Sequence, residues 1–100
     1  MNFLADQHVL VLGLGASGLA LARWCIRLGA RVTVADTRAA PPQLDALHTQ
    51  VPTAAFLCSA MDAALLATSP FDMVLKSPGL SPAAVAGVVE AARTRYSFAN

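Results

Sequence analysis

The chain has 100 residues, 56% hydrophobic and 13% charged, with a net charge of +1; that allows one small domain and is too apolar for a disordered segment. No cluster of Lys and Arg offers a groove to a phosphate backbone, so no nucleic-acid partner is expected. The uncharged run Val9–Ala22 stops at Arg23 after 14 residues, short of the about 20 a membrane span needs, and MNFLADQ before it lacks a basic n-region, so a cytoplasmic protein without membrane insertion is expected.

His8 to Leu12 is a β-branched and leucine run ending at a glycine, as expected of a buried parallel strand. From Ser17 the period becomes helical. Leu21, Cys25 and Leu28 share a face, Leu19, Ala22 and Ile26 flank it, and Arg23, Arg27 and Arg31 lie opposite. Gly29 is placed to close that helix. Val32 to Ala35 predicts a second buried strand, ending at Asp36. Pro41-Pro42 predicts the first turn of a short helix reaching about His48. Thr53–Leu57 is a weaker strand, Met61–Ala67 a short helix and Phe71–Leu75 a fourth strand. Pro82–Arg95, rich in Ala and Val, predicts a closing helix with Pro82 at its first position.

This alternation implies an α/β, Rossmann-like doubly wound parallel sheet in a single domain, with strand order 3-2-1-4 and helices on both faces. Cys25 and Cys58 have no metal-ligand spacing and are expected to be buried reduced thiols. His8 and His48 have no partner at catalytic spacing, and the carboxylates are scattered, so no acid–base pair is expected.

The chemistry-bearing stretch is Gly13-Leu14-Gly15-Ala16-Ser17-Gly18, a GxGxxG between the first strand and the first helix. Gly13 permits a tight turn, Gly15 lets the backbone approach a diphosphate, and Gly18 allows close helix packing. The amides of Ala16, Ser17 and Gly18 then face an anion at a helix N-terminus. Asp36 follows Gly13 by 23 residues, near the spacing of an acid that reads a ribose or base. Its charge disfavours a 2′-phosphate, which Arg38 partly offsets. NAD, FAD, UDP and adenine nucleotides remain open on these grounds. No GxxxxGK[ST] loop occurs. The second loop, Leu75-Lys76-Ser77-Pro78-Gly79-Leu80-Ser81-Pro82, should emerge beside the glycine loop if strand four lies next to strand one.

Three stretches together, VLVLGLGASGLALARW, VADTRAAPPQLDAL and LKSPGLSP, resemble the N-terminal domain of the Mur ligase family, in its D-glutamate-adding branch, from about residue 8 to 95. The resemblance implies that residues 1–95 bind the UDP part of UDP-N-acetylmuramoyl-L-alanine in cytoplasmic peptidoglycan synthesis. It implies that ATP and Mg2+ are handled by other domains of the full-length enzyme, so that this chain alone is inactive and holds no metal. Ala16 and Ser17 would meet the diphosphate, Asp36 and Thr37 the uracil, Arg38 would lie against the ring, and Ser77, Pro78 and Gly79 would line the other side. Residues 96–100 depart from the family's Gly-Ile-Pro-Val-like strand, which leaves a fifth strand open. The competing expectations are an NAD-binding regulatory module of the potassium-channel sensor type and half of a dehydrogenase. The sensor type shares the glycine loop but is not expected to carry DTR followed by PP, or SPG, and the dehydrogenase half would need a further catalytic domain supplying a base.

Overall fold

The computed structural model describes residues 3–95 and 97–99. Five strands, β1 (His8–Leu12), β2 (Arg31–Asp36), β3 (Ala55–Cys58), β4 (Met73–Lys76) and β5 (Ser97–Ala99), form one sheet in the order β3-β2-β1-β4-β5. Every pairing is parallel; Leu12 stands opposite Ala35 on one side and Lys76 on the other. The order is the one the alternating pattern predicts, and the fifth strand left open by the sequence is formed. Among the described residues no helix is long and apolar enough to cross a membrane.

β1 is central and covered on both faces, so it needs no polar alternation: all five of its residues are buried. Val9 and Val11 pack into one layer with Leu19, Ala22 and Cys25 of α1 (Ala16–Arg27) and Leu47 of α2 (Leu44–Gln50). Leu10 and Leu12 pack into the opposite layer with Leu65 and Leu66 of a 3-10 segment (Ala63–Ala67) and Val88 and Ala92 of α3 (Ala86–Arg95). Each buried Val or Leu side chain among them contributes roughly 1.5–3 kcal/mol on burial.

Local chemistry sets the boundaries. α1 begins at Ala16, one residue before the expected start, and ends in a Schellman motif. Gly29 takes φ +93°, its amide donates to Ile26, and Ala30 donates to Cys25. The helix buries Gly18, Leu19, Ala22 and Cys25, while Leu21 and Leu28 are only half-buried, so the packed face is turned toward Gly18 from the expected one. Pro41 and Pro42 do not form the first turn of α2; the helix starts at Leu44, whose amide donates to the Pro41 carbonyl in the preceding turn. Met61–Ala67 supplies one five-residue 3-10 segment, in which the Asp62 carboxylate accepts the Ala64 amide. The closing helix is divided into a 3-10 turn, Ala83–Val85, and α3, with Pro82 ahead of both. β3 and β4 begin two residues later than expected. Phe71 precedes β4 and is buried with its ring 4.7 Å from that of His8. Cys25 is buried, and burial pushes its thiol pKa up. Cys58 is exposed, contrary to expectation, because β3 is an edge strand open along its length.

His8 is buried at the start of β1. Its Nε2 lies 2.9 Å from the Thr33 hydroxyl, and its backbone amide donates to Asp72. Burial, then the Arg31 charge, lower its pKa below 6.5. The unfolded chain therefore takes up this proton first on acidification. Stability contributed by neutral His8 is complete above about pH 6.5 and declines as pH falls below it. Urea midpoints at pH 7.5 and 5.5 should show this decline, and His8→Gln should reduce it; an unchanged decline would assign it to other groups.

Candidate functional site

The strand order brings the glycine loop, the end of β2 and the loop after β4 together at the C-terminal end of the sheet. Gly13 turns the chain with φ +94°, and its amide donates to the Ala35 carbonyl at 2.7 Å. The Ser77 amide donates to Leu12 at 3.0 Å, which anchors the second loop against the first. Between them lies a cleft of about 160 Å³ lined by Gly13, Gly15, Ala16, Ser17, Arg38, Ser77 and Gly79, with Leu14 and Leu80.

The three glycines do different work. A Cβ on Gly18 would stand 1.9 Å from the Gly13 carbonyl oxygen, an impossible contact with backbone. Gly18 therefore closes the loop against its own beginning, more than it packs helix on strand. A Cβ on Gly13 would press on Leu80. A Cβ on Gly15 would meet nothing within 4 Å and would enter the cleft. Gly15 is the N-cap of α1 and brings no capping side chain, and the first turn has no acidic residue. The amides of Ala16, Ser17 and Gly18 have no acceptor among the described residues. A helix N-terminus in this state favours an anion through three donors and the aligned peptide dipoles.

Asp36 lies beneath the cleft, 2% exposed. Its Oδ2 accepts from the Leu14 amide at 2.9 Å and Arg38 Nη2 at 2.8 Å. Its Oδ1 accepts from the Arg38 amide and Nε, each at 2.9 Å. These bonds, the Arg38 side chain first, lower its pKa to about 2 against the opposing effect of burial. A carboxylate offers about four lone-pair sites, and all are in use. Arg38 is bound along one edge of its guanidinium and half exposed, so its other edge and its plane face the cleft. Thr37 and Pro78 are exposed but are not in the cleft wall, and Gly18 and Asp36 lie behind it. Leu14 and Leu80, which carry no polar signal in the sequence, complete the wall. Leu80 is placed by its amide donating to Ser77 and by its contact with Gly13.

Gly15→Val should leave stability within about 1 kcal/mol, since only an N-cap preference is lost, while filling the cleft. Gly18→Ala should cost at least about 2–3 kcal/mol through overpacking. Denaturant melts of both variants, with anion titration of the folded one, separate the two roles; equal unfolding in both would contradict this division. Asp36→Ala should cost about 1–3 kcal/mol by leaving the buried Leu14 amide without an acceptor. Because the carboxyl titrates lower in the folded chain, its contribution is complete above about pH 3.8 and lost as pH falls through about 2. Acid unfolding of wild type and Asp36→Asn, which lacks this titration, checks the assignment.

The model of one family, described as Mur ligase MurD-like, N-terminal domain, matches residues 7–95. The UDP-N-acetylmuramoylalanine--D-glutamate ligase of Albidiferax ferrireducens is 66% identical over 94 residues, 94% of this chain and 19% of that protein. The ligase of the same name from a Polaromonas species is 54% identical over 93 residues, 93% of this chain and 16% of its own. The chain thus spans less than a fifth of the length of these relatives. Among solved structures, the Bordetella bronchiseptica enzyme WbmF in complex with NAD+ and UDP superposes with a TM-score of 0.58 at 27% identity, over 76% of this chain and 24% of that one.

Proposed function

Since the chain belongs to the MurD-like N-terminal domain family of the Mur ligases, we propose that it binds the UDP moiety of UDP-N-acetylmuramoyl-L-alanine and holds that substrate for a D-glutamate ligase. The observation that carries the reading is the convergence of three unpaired amides at the α1 N-terminus with open space over Gly15, flanked by Arg38 and Ser77. The diphosphate is held by the amides of Ala16, Ser17 and Gly18, with the Ser17 hydroxyl adding a donor. The uracil lies toward Thr37 with the Arg38 plane against it, a role suited to a flat guanidinium. Ser77 and Gly79 bound the opposite side. Asp36 has no lone pair free while Arg38 is bound to it, so it accepts directly from a base only if the guanidinium turns away.

The cleft is smaller than the about 300–1,000 Å³ of a site that encloses a whole small molecule. It grips part of the nucleotide and leaves the sugar and peptide for other domains. ATP with Mg2+ supplies activation of the alanine carboxylate in the full-length ligase. The sequence has no GxxxxGK[ST], and among the described residues there is no group of three His, Cys, Asp or Glu suited to a metal. This chain's own contribution is binding and orientation, on the way to peptidoglycan synthesis in the cytoplasm.

Millimolar UDP should shift the amide NMR signals of Ala16, Ser17, Thr37, Arg38, Ser77 and Gly79, with weaker effects from ADP and NAD. Arg38→Ala should weaken UDP about tenfold, equivalent to a charge-assisted contact of roughly 1.5 kcal/mol, and leave pyrophosphate unchanged. A preference for NAD would transfer the reading to a dinucleotide-binding regulatory module.

A further inference from the structure

We propose, on the nucleotide reading of the cleft, that Leu80 determines its specificity: the side chain stands in the crevice between β1 and β4, so that the site takes one nucleoside diphosphate and turns away the second nucleoside of a dinucleotide.

The strand order places the crevice. From β1 the sheet runs through β2 to β3 on one side and through β4 to β5 on the other, so the order reverses between β1 and β4. In a doubly wound sheet a dinucleotide lies across that reversal, with its diphosphate at the glycine loop and one nucleoside over each half. Here the β2 half ends at Asp36, Thr37 and Arg38, and a second nucleoside would have to lie over the end of β4.

The turn after β4 occupies that second place. The Ser77 amide donates to the Leu12 carbonyl at 3.0 Å, which draws the turn against the end of β1, and the Leu80 amide donates to the Ser77 carbonyl at 3.1 Å. Ser77-Pro78-Gly79-Leu80 is thus a four-residue turn with proline at its second position, where a fixed φ is favoured. It carries Leu80 back over Gly13. A Cβ on Gly13 would stand 3.0 Å from both Cγ and Cδ1 of Leu80, so the isobutyl side chain fills the space that the glycine leaves open. The side chain is held there. Leu80 is half-buried and packs against the layer that contains Leu10, Leu12 and Val85.

A leucine at this point selects by exclusion. It blocks the path along the strand ends, and it offers no partner to the hydroxyls of a second ribose, which would be buried unpaired. A dinucleotide then binds through one half only. Its second nucleoside stays in solvent and adds nothing.

The test compares NAD with ADP, which share one nucleoside and the diphosphate. The change in their affinity ratio between wild type and variant therefore reports the second nucleoside alone. Each is titrated into the chain and followed by amide NMR, with the UDP shifts at Ala16 and Ser17 reporting that the site is intact in each variant. Wild type should bind NAD no more tightly than ADP. Leu80→Ala should raise the NAD-to-ADP affinity ratio about tenfold, the scale on which an apolar contact discriminates, while Leu80→Met, which retains the bulk, should hold it within about twofold. Should Leu80→Ala fail to fold, Leu80→Val, one methylene shorter, should move the ratio in the same direction. An unchanged ratio in the folded truncation, or wild type binding NAD more tightly than ADP, would overturn the proposal and leave the nucleotide reading standing on the UDP shifts. No shift at Ala16 or Ser17 with UDP, ADP or NAD alike would overturn that reading, and the role of Leu80 with it.

Discussion

The site depends on one buried carboxylate. Asp36 ends β2 among apolar side chains, and an ion there is tolerated only because each oxygen receives two donors. Those donors come from two directions. The Leu14 amide ties the middle of the glycine loop to β2, and the Arg38 amide and guanidinium fold the chain after β2 back over its own end. Asp36 thereby fixes where Gly15 opens toward solvent and where Arg38 presents its plane, without itself lining the cleft.

The sheet makes that arrangement possible. Parallel strands place every C-terminal end at one edge, and the order 3-2-1-4 sets β1 between β2 and β4. The glycine loop is consequently flanked by Asp36 on one side and Ser77 on the other. Full burial of β1 gives the loop a rigid base. The Gly13–Gly18 approach then shortens the loop until the amides of α1 converge on one point. A longer side chain at either glycine would move those amides apart before it touched any ligand.

Much of this was legible in the sequence because each signal had one physical solution. A glycine loop between a buried strand and an amphipathic helix has a single established geometry, and strands alternating with helices force a parallel sheet. The misread elements are those whose determinants are tertiary. Pro41-Pro42 is compatible with a helix start and with the turn before it, and the Pro41 carbonyl's bond to Leu44 selects the turn. Cys58 has the composition of a core residue but stands on an edge strand, a fact of strand order. Tyr96–Asn100 carried too little pattern to predict β5, which forms because β4 offers it an open edge; Tyr96 and Asn100 themselves lie outside the described residues. Asp36 had the spacing of a ligand-reading acid, and nothing in one dimension shows that Leu14 and Arg38 occupy its lone pairs.

That occupancy separates two contributions at the end of β2. The bonds from the Leu14 and Arg38 amides are backbone bonds to a buried acceptor and hold the loop in any state of the site. The guanidinium bonds are made by a half-exposed side chain on the cleft wall to a buried carboxylate, and they are the first cause of its low pKa. In the proposed nucleotide reading, a base that draws Arg38 away from Asp36 leaves the two backbone donors with the carboxylate. The same departure frees one lone pair on each Asp36 oxygen at the moment a ligand's N–H groups arrive. A nucleotide that both stacks on the guanidinium and donates to the carboxylate exchanges a solvent-exposed pair for two interactions. One that offers only a diphosphate leaves the pair intact. In the proposed reading, discrimination between bases at this site rests on Arg38 above the Asp36 carboxylate, while phosphate recognition rests on the backbone amides of Ala16, Ser17 and Gly18.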